Sequence, residues 1–209
     1  MARSGPPLAP QPRLRLSAED WLNAARERLI SGGIGAVKVE PLAASLGVTV
    51  GSFYWHFRNR RALLSRLLEH WQATNSAAMV KAAASDGVTA EARFDAFLNV
   101  RVREEGYSSA YDAAMRDWAR TSDEVRSTVH AVDVLRVSLL EGIFADLGYD
   151  RDRAEVRARI TYFHQVGYYA LDLRDDEQTQ LKRRPLYFEA LRDGCGKRHG
   201  AVRGRRSRG

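Results

Sequence analysis

Thr49, Gly51 and Ser52 are followed at once by Tyr54 and His56, and then by Arg58, Arg60 and Arg61. Small side chains let backbone approach base edges inside a groove about 12 Å wide. A phenol and an imidazole N–H set just behind them are placed to donate to phosphates on either side. Val48, Phe53 and Phe57 are the apolar partners of that outward face, since 53 and 57 stand four apart on one side of a helix. Arg60 falls at the start of the next helix, where free N–H groups and the positive end of the dipole favour an anion and a guanidinium adds a bidentate charge. The rival reading of Tyr54-Trp55-His56-Phe57 is an aromatic core cluster on a short helix. Four consecutive residues project all round a helix, so they cannot all be buried. For Arg58, Arg60 and Arg61 the rival is a plain solvated face, and for His56 a structural hydrogen bond.

Other chemistries find less support. His130 and His164 fall on different expected helices with no Cys or His at ligand spacing, so no metal site and no cofactor are expected. No Ser-His-Asp, Cys-His or paired-carboxylate arrangement shares a face, and no glycine-rich phosphate loop occurs, so the expectation is that the chain is not an enzyme. Cys195 is the single cysteine, which rules out a disulfide framework within the chain.

The 209 residues carry a formal charge of +7, which by itself points to nucleic acid. Its distribution weakens that argument. Residues 1–16 hold three arginines and residues 196–209 six Lys or Arg, with no acids, so the body between them is slightly acidic. Those termini read as a disordered arm and a disordered basic tail, the tail either adding salt-sensitive affinity for DNA or lying idle in solvent. Met1–Leu16 lacks the apolar core of a secretory signal, and no apolar run approaches the ~18 residues that cross a bilayer, so a cytoplasmic location is expected.

From Ser17 onward apolar residues recur at helical spacing, which predicts an all-α chain. Ser17 caps a first helix stopped by the glycines at 32, 33 and 35. A second runs from about Val39 to Leu46, with Pro41 tolerable in its first turn, and ends at Gly47. The third, Thr49 to Phe57, is capped by the Thr49 hydroxyl and begins so soon after the second that the two must cross steeply, the signature of a helix-turn-helix. A long fourth helix starts at Asn59. The expected domains are therefore a three-helix helix-turn-helix headpiece over 17–77 and a helical bundle over 78–195, about nine helices in all. The bundle helices are expected at 88–104, 108–120, 122–147, 151–175 and 178–193, broken at Gly87, Gly106, Gly148 and the acidic run from Asp175. Phe97, Tyr111, Trp118, His130, Phe144, His164 and Tyr168 are the expected lining of an apolar ligand pocket between these helices, helical core packing being the alternative for any one of them.

Leu46-Gly47-Val48, the small-residue helix start, Tyr54-Trp55-His56-Phe57 and Asn59-Arg60-Arg61-Ala62-Leu63-Leu64 together resemble the TetR family of bacterial regulators. The resemblance covers about residues 17–77. It implies a homodimeric transcription regulator, most often a repressor, that binds a palindromic double-stranded DNA operator and answers to a small-molecule effector. It assigns Arg60 to the family's phosphate-contacting lysine, and Val50, Gly51, Ser52, Tyr54 and Trp55 to positions facing bases or the adjacent backbone. Of these Ser52 is the one able to hydrogen-bond a base with ease, while Val50 and Trp55 suit thymine methyls. Lys38 stands where the family usually has a capping Ser or Thr; it can reach a phosphate but cannot accept a capping hydrogen bond. Glu40, where many members carry a basic residue, would repel phosphate unless it accepts from a cytosine amine. The family also pairs its last two helices into a four-helix dimer interface, which would draw here on Ile160, Phe163, Val166, Leu171, Leu186 and Leu191.

Overall fold

The computed structural model describes residues 16–171 and 175–192, so the basic tail, Cys195 and all but the last residue of the N-terminal arm lie outside the described residues. These form ten α-helices and one short 3-10 turn, with no strand among them. The chain folds as two compact units that divide between Leu67 and Leu68, inside a helix rather than at the expected boundary near residue 77.

In the first unit, α1 (Ala18–Gly32) starts at Ser17, whose hydroxyl accepts from the Asp20 N–H while the Asp20 carboxylate accepts from the Ser17 N–H at 2.7 Å. This reciprocal pair satisfies two N–H groups that a helix start otherwise leaves open, and it holds the Asp20 carboxyl below the usual carboxylate range. Trp21, Leu22, Ala25 and Leu29 form its buried stripe. Gly33, at φ 68°, ends it by returning its N–H to the Leu29 carbonyl. A 3-10 turn at 34–36 leads into α2 (Val39–Ser45), which begins at Lys38 with no side-chain cap, as that residue type dictates. Gly47, at φ 67°, makes the turn into α3 (Val50–Phe53). This helix is shorter than expected: beyond Phe53 the chain continues as turns to Phe57. Asn59 then caps α4 (Arg60–Thr74) by accepting from the Ala62 N–H at 2.9 Å.

The second unit contains α5 (Ala77–Ala83), α6 (Ala90–Arg103), α7 (Ser109–Ala119), α8 (Asp123–Asp146), α9 (Arg151–Ala170) and α10 (Glu177–Arg192). Thr89, Ser108, Ser122 and Asp150 cap α6 to α9 with their side-chain oxygens, and Gly87, Gly106 and Gly148 take positive φ where the chain reverses. The α5 helix escaped the sequence reading because its Ala-Ala-Met-Val-Lys-Ala-Ala run is short and lacks a side-chain cap. The core gathers Phe94, Phe97, Leu140, Ile143, Phe144 and Tyr162 from α6, α8 and α9. Beside it lies a buried polar cluster. Arg136 donates to Asp112 Oδ1 at 2.8 Å, to Ser76 Oγ at 2.9 Å and to the Asn75 carbonyl at 3.0 Å. Arg116 bridges Asp112 and Asp133, and the Tyr162 hydroxyl donates to Asp133. No helix among the described residues is long and apolar enough to cross a membrane.

Candidate nucleic-acid interface

The outward face of α3 follows from what anchors its inward face. Phe53 is fully buried, edge-on to Trp21 at 5.2 Å and stacked on Phe57 at 5.5 Å. With positions 53 and 57 turned into the core, the residues between and before them face away from it. Trp55 is 88% exposed and Tyr54 61%, large exposures for aromatic side chains that could have packed. Lys38, Thr49 and Gly51 are exposed, and Val50, Ser52 and His56 half-buried. The structure therefore brings Thr49, Val50, Gly51, Ser52, Tyr54, Trp55 and His56 together on one short segment, and the core-cluster alternative fails for Tyr54 and Trp55.

Gly51 is not required by the fold. Its φ lies outside the left-handed region, and a Cβ placed there would meet nothing nearer than the Thr49 hydroxyl at 3.7 Å.

Two expectations need correction. Thr49 has the extended backbone of an N-cap, but its hydroxyl accepts no capping hydrogen bond, which leaves that group turned to other partners. Arg60 does not extend its side-on fork to solvent: Nε donates to the Val37 carbonyl and Nη2 to the Ile34 carbonyl at 2.8 Å. Those carbonyls belong to the turn between α1 and α2, where Ile34 accepts only a long 3.4 Å bond from the Val37 N–H, so a nearby guanidinium is drawn to them. The cations left exposed at the start of α4 are Arg58 and Arg61.

The expected ligand pocket is also redrawn. In the second unit a cavity of about 340 Å³ lies among α6, α9 and α10, and of the expected lining only His164 and Tyr168 reach it. Phe97 and Phe144 are fully buried in the core, Tyr111 and Trp118 are buried on α7, and His130 is exposed on α8. Aromatic type alone does not tell a cavity wall from close packing. Sequence reasoning missed Arg101, which does line the cavity. Its signal was present: Phe94, Phe97, Leu98 and Arg101 follow one helical stripe, so periodicity puts a cation on an apolar face. Among the described residues no group of three or more His, Cys, Asp or Glu could hold a metal ion.

Comparison with known proteins bears on the headpiece most directly. Residues 22–67 match the model of bacterial regulatory proteins, tetR family. The tetracycline repressor protein class A from transposon 1721 of Escherichia coli is 38% identical over 72 residues, which is 34% of this chain and 33% of that protein. The class D repressor, also from Escherichia coli, is 42% identical over 53 residues, 25% of this chain and 24% of its own. The chain thus spans about a third or less of the curated relatives it matches. The whole fold is similar to a putative transcriptional regulator from Pseudomonas aeruginosa, with a TM-score of 0.68 at 16% identity over 85% of this chain and 90% of that one. A TetR transcriptional regulator from Legionella pneumophila gives a TM-score of 0.60 at 16% identity over 86% and 95%. Residues 22–67 thus match the N-terminal domain of the tetR family, and the fold of the chain is similar to that of solved transcriptional regulators.

Proposed function

We propose that this chain is a DNA-binding transcription regulator that occupies a palindromic operator as a homodimer and acts as a ligand-responsive repressor. The observation that carries the reading is the segment from Thr49 to His56, small at its leading end and holding Tyr54 and Trp55 in solvent at the expense of apolar exposure. Exposed aromatic surface on a rigid, anchored turn is retained where it meets a partner. The family relationship names that partner as duplex DNA. Lys38, Arg58 and Arg61 supply cations around it for the phosphates.

Dimerisation follows from reading length. One short helix reads too few base pairs for specificity, and a two-fold pair doubles the site with recognition helices about 34–36 Å apart or a multiple of it. Val156, Ile160 and Phe163 stand at i, i+4 and i+7 on α9, each more than half exposed, and Leu171 and Leu186 add to the uncovered apolar surface after it. A self-complementary face of this kind suits the pairing of α9 and α10 with the same helices of a second copy. The cavity in the second unit supports an effector, which would act by preferring the conformation that binds DNA less well.

Selection of bound duplexes from a random pool with the full chain tests the reading. Enrichment of a two-fold symmetric sequence is the expected outcome. Recovery of duplexes without any common sequence would remove operator recognition from the proposal.

A further inference from the structure

The 340 Å³ cavity is walled mostly by carbon, with Phe94, Leu98, Val102, Ile160 and Leu191 among its lining, yet Arg101, which also borders a second cavity beside Tyr107 and Asp112, lines it too. Arg101 is 2% exposed. Among the described residues neither its Nε nor its Nη1 meets a hydrogen-bond acceptor. Its charge rests on ring faces instead, 5.1 Å from the centroid of Tyr107, 5.3 Å from Tyr169 and 5.8 Å from Tyr162. An aromatic cage of this kind softens the loss of water from a cation but satisfies no N–H. The nearby carboxylates are engaged elsewhere. Asp175, on the same wall, takes Arg183 Nη1 at 2.6 Å, and the Asp112 oxygens take Arg136, Arg116 and Asn75. Arg101 is therefore a buried guanidinium whose Nε and Nη1 donors stand unmatched beside an apolar cavity, and a buried donor without an acceptor is costly to keep.

We propose that this cavity binds an amphipathic carboxylate, its apolar body lying along the α6 and α9 walls and its carboxylate accepting from Arg101. The inference deepens the proposed regulation and rests on that reading for the role of the bound acid as effector. A neutral molecule of the same body would leave the guanidinium unmatched, and a cationic one would face it. The acid is thus selected by its charge as well as by its shape.

Titration calorimetry on the full chain, with probes that differ only in the head group, tests this. Decanoate is compared with decanol and decyltrimethylammonium, and 1-naphthoate with 1-naphthalenemethanol, so that both a linear and a flat body are tried. At least one acid should bind roughly tenfold tighter than its alcohol or more, the scale of a charge-assisted hydrogen bond. Arg101→Met should erase that preference while alcohol binding persists, and Val102→Trp, which fills the cavity and keeps Arg101, should abolish binding of both. Failure of both acids to bind, an alcohol or ammonium that binds as well, or an acid preference that survives either substitution would overturn the proposal. Should Arg101→Met not fold, Val102→Trp decides alone: undiminished acid binding to it refutes the site. The same preparations are assayed on the selected duplex. Acid binding without DNA recognition sinks the regulator reading, and DNA recognition without acid preference sinks only this one.

Discussion

If the proposed function holds, Gly51 is kept small for the duplex rather than for the fold. Its backbone and surroundings would both accept a methyl group, and alanine is the better helix former by up to about 1 kcal/mol. Gly51→Ala should therefore leave thermal stability unchanged or slightly raised while weakening the bound operator by on the order of 1–3 kcal/mol, the range of one lost base-edge contact. Thermal melts and fluorescence anisotropy on one preparation separate the two effects, and unimpaired operator binding would refute close backbone approach at this position. Arg60 makes the opposite point. Its sequence position beside the aromatic run suggested a phosphate, but its Nε and Nη2 donate to the carbonyls of Val37 and Ile34, so it braces the headpiece. Spacing along a chain shows where a side chain starts; it does not show which acceptors the fold brings near.

At the scale of the element, α7 and α8 are joined by charge as well as by apolar packing. Asp112 and Arg136 are buried, on stripes otherwise made of Tyr111, Met115 and Trp118 on one helix and Val129, Val132 and Leu140 on the other. Burial alone would push the Asp112 carboxyl up; Arg136, with Arg116 behind it, outweighs burial and holds it below the usual value of 3.8. A carboxyl depressed in the folded state contributes stability that is complete above its unfolded pKa and is lost as pH falls through the folded one. The urea midpoint should hold from neutral pH down to about 4 and then fall, and Asp112→Asn should flatten that fall. Asp112→Ala should cost about 3–5 kcal/mol at pH 7, because it strands the Arg136 charge without a partner. Trp71, whose ring lies 5.8 Å from the Arg136 guanidinium, offers a fluorescence signal for both measurements. A midpoint indifferent to either substitution would show the cluster to be solvated rather than structural.

For the whole molecule the decisive quantity is its assembly. Phe163 is 60% exposed on α9 and Leu186 is exposed on α10, so a charge at either position costs the separate chain little and the paired one much. Phe163→Glu should shift sedimentation from dimer toward monomer, with the dimer Kd rising tenfold or more, and should weaken operator binding with it; a dimer of unchanged Kd would place the interface elsewhere. Without help from tertiary structure, the sequence determined the helical class, the starts of α6 to α9 and the exposure of Tyr54 and Trp55, because periodicity, capping and glycine turns act over a few residues and leave their mark in the order of residue types. Tertiary structure alone decided which aromatics pack and which line the cavity, where Arg60 donates, and that Arg101 stands unmatched beside it. Those outcomes depend on groups brought together from distant positions, and burial and hydrogen-bond satisfaction are properties of that neighbourhood rather than of any stretch of the chain.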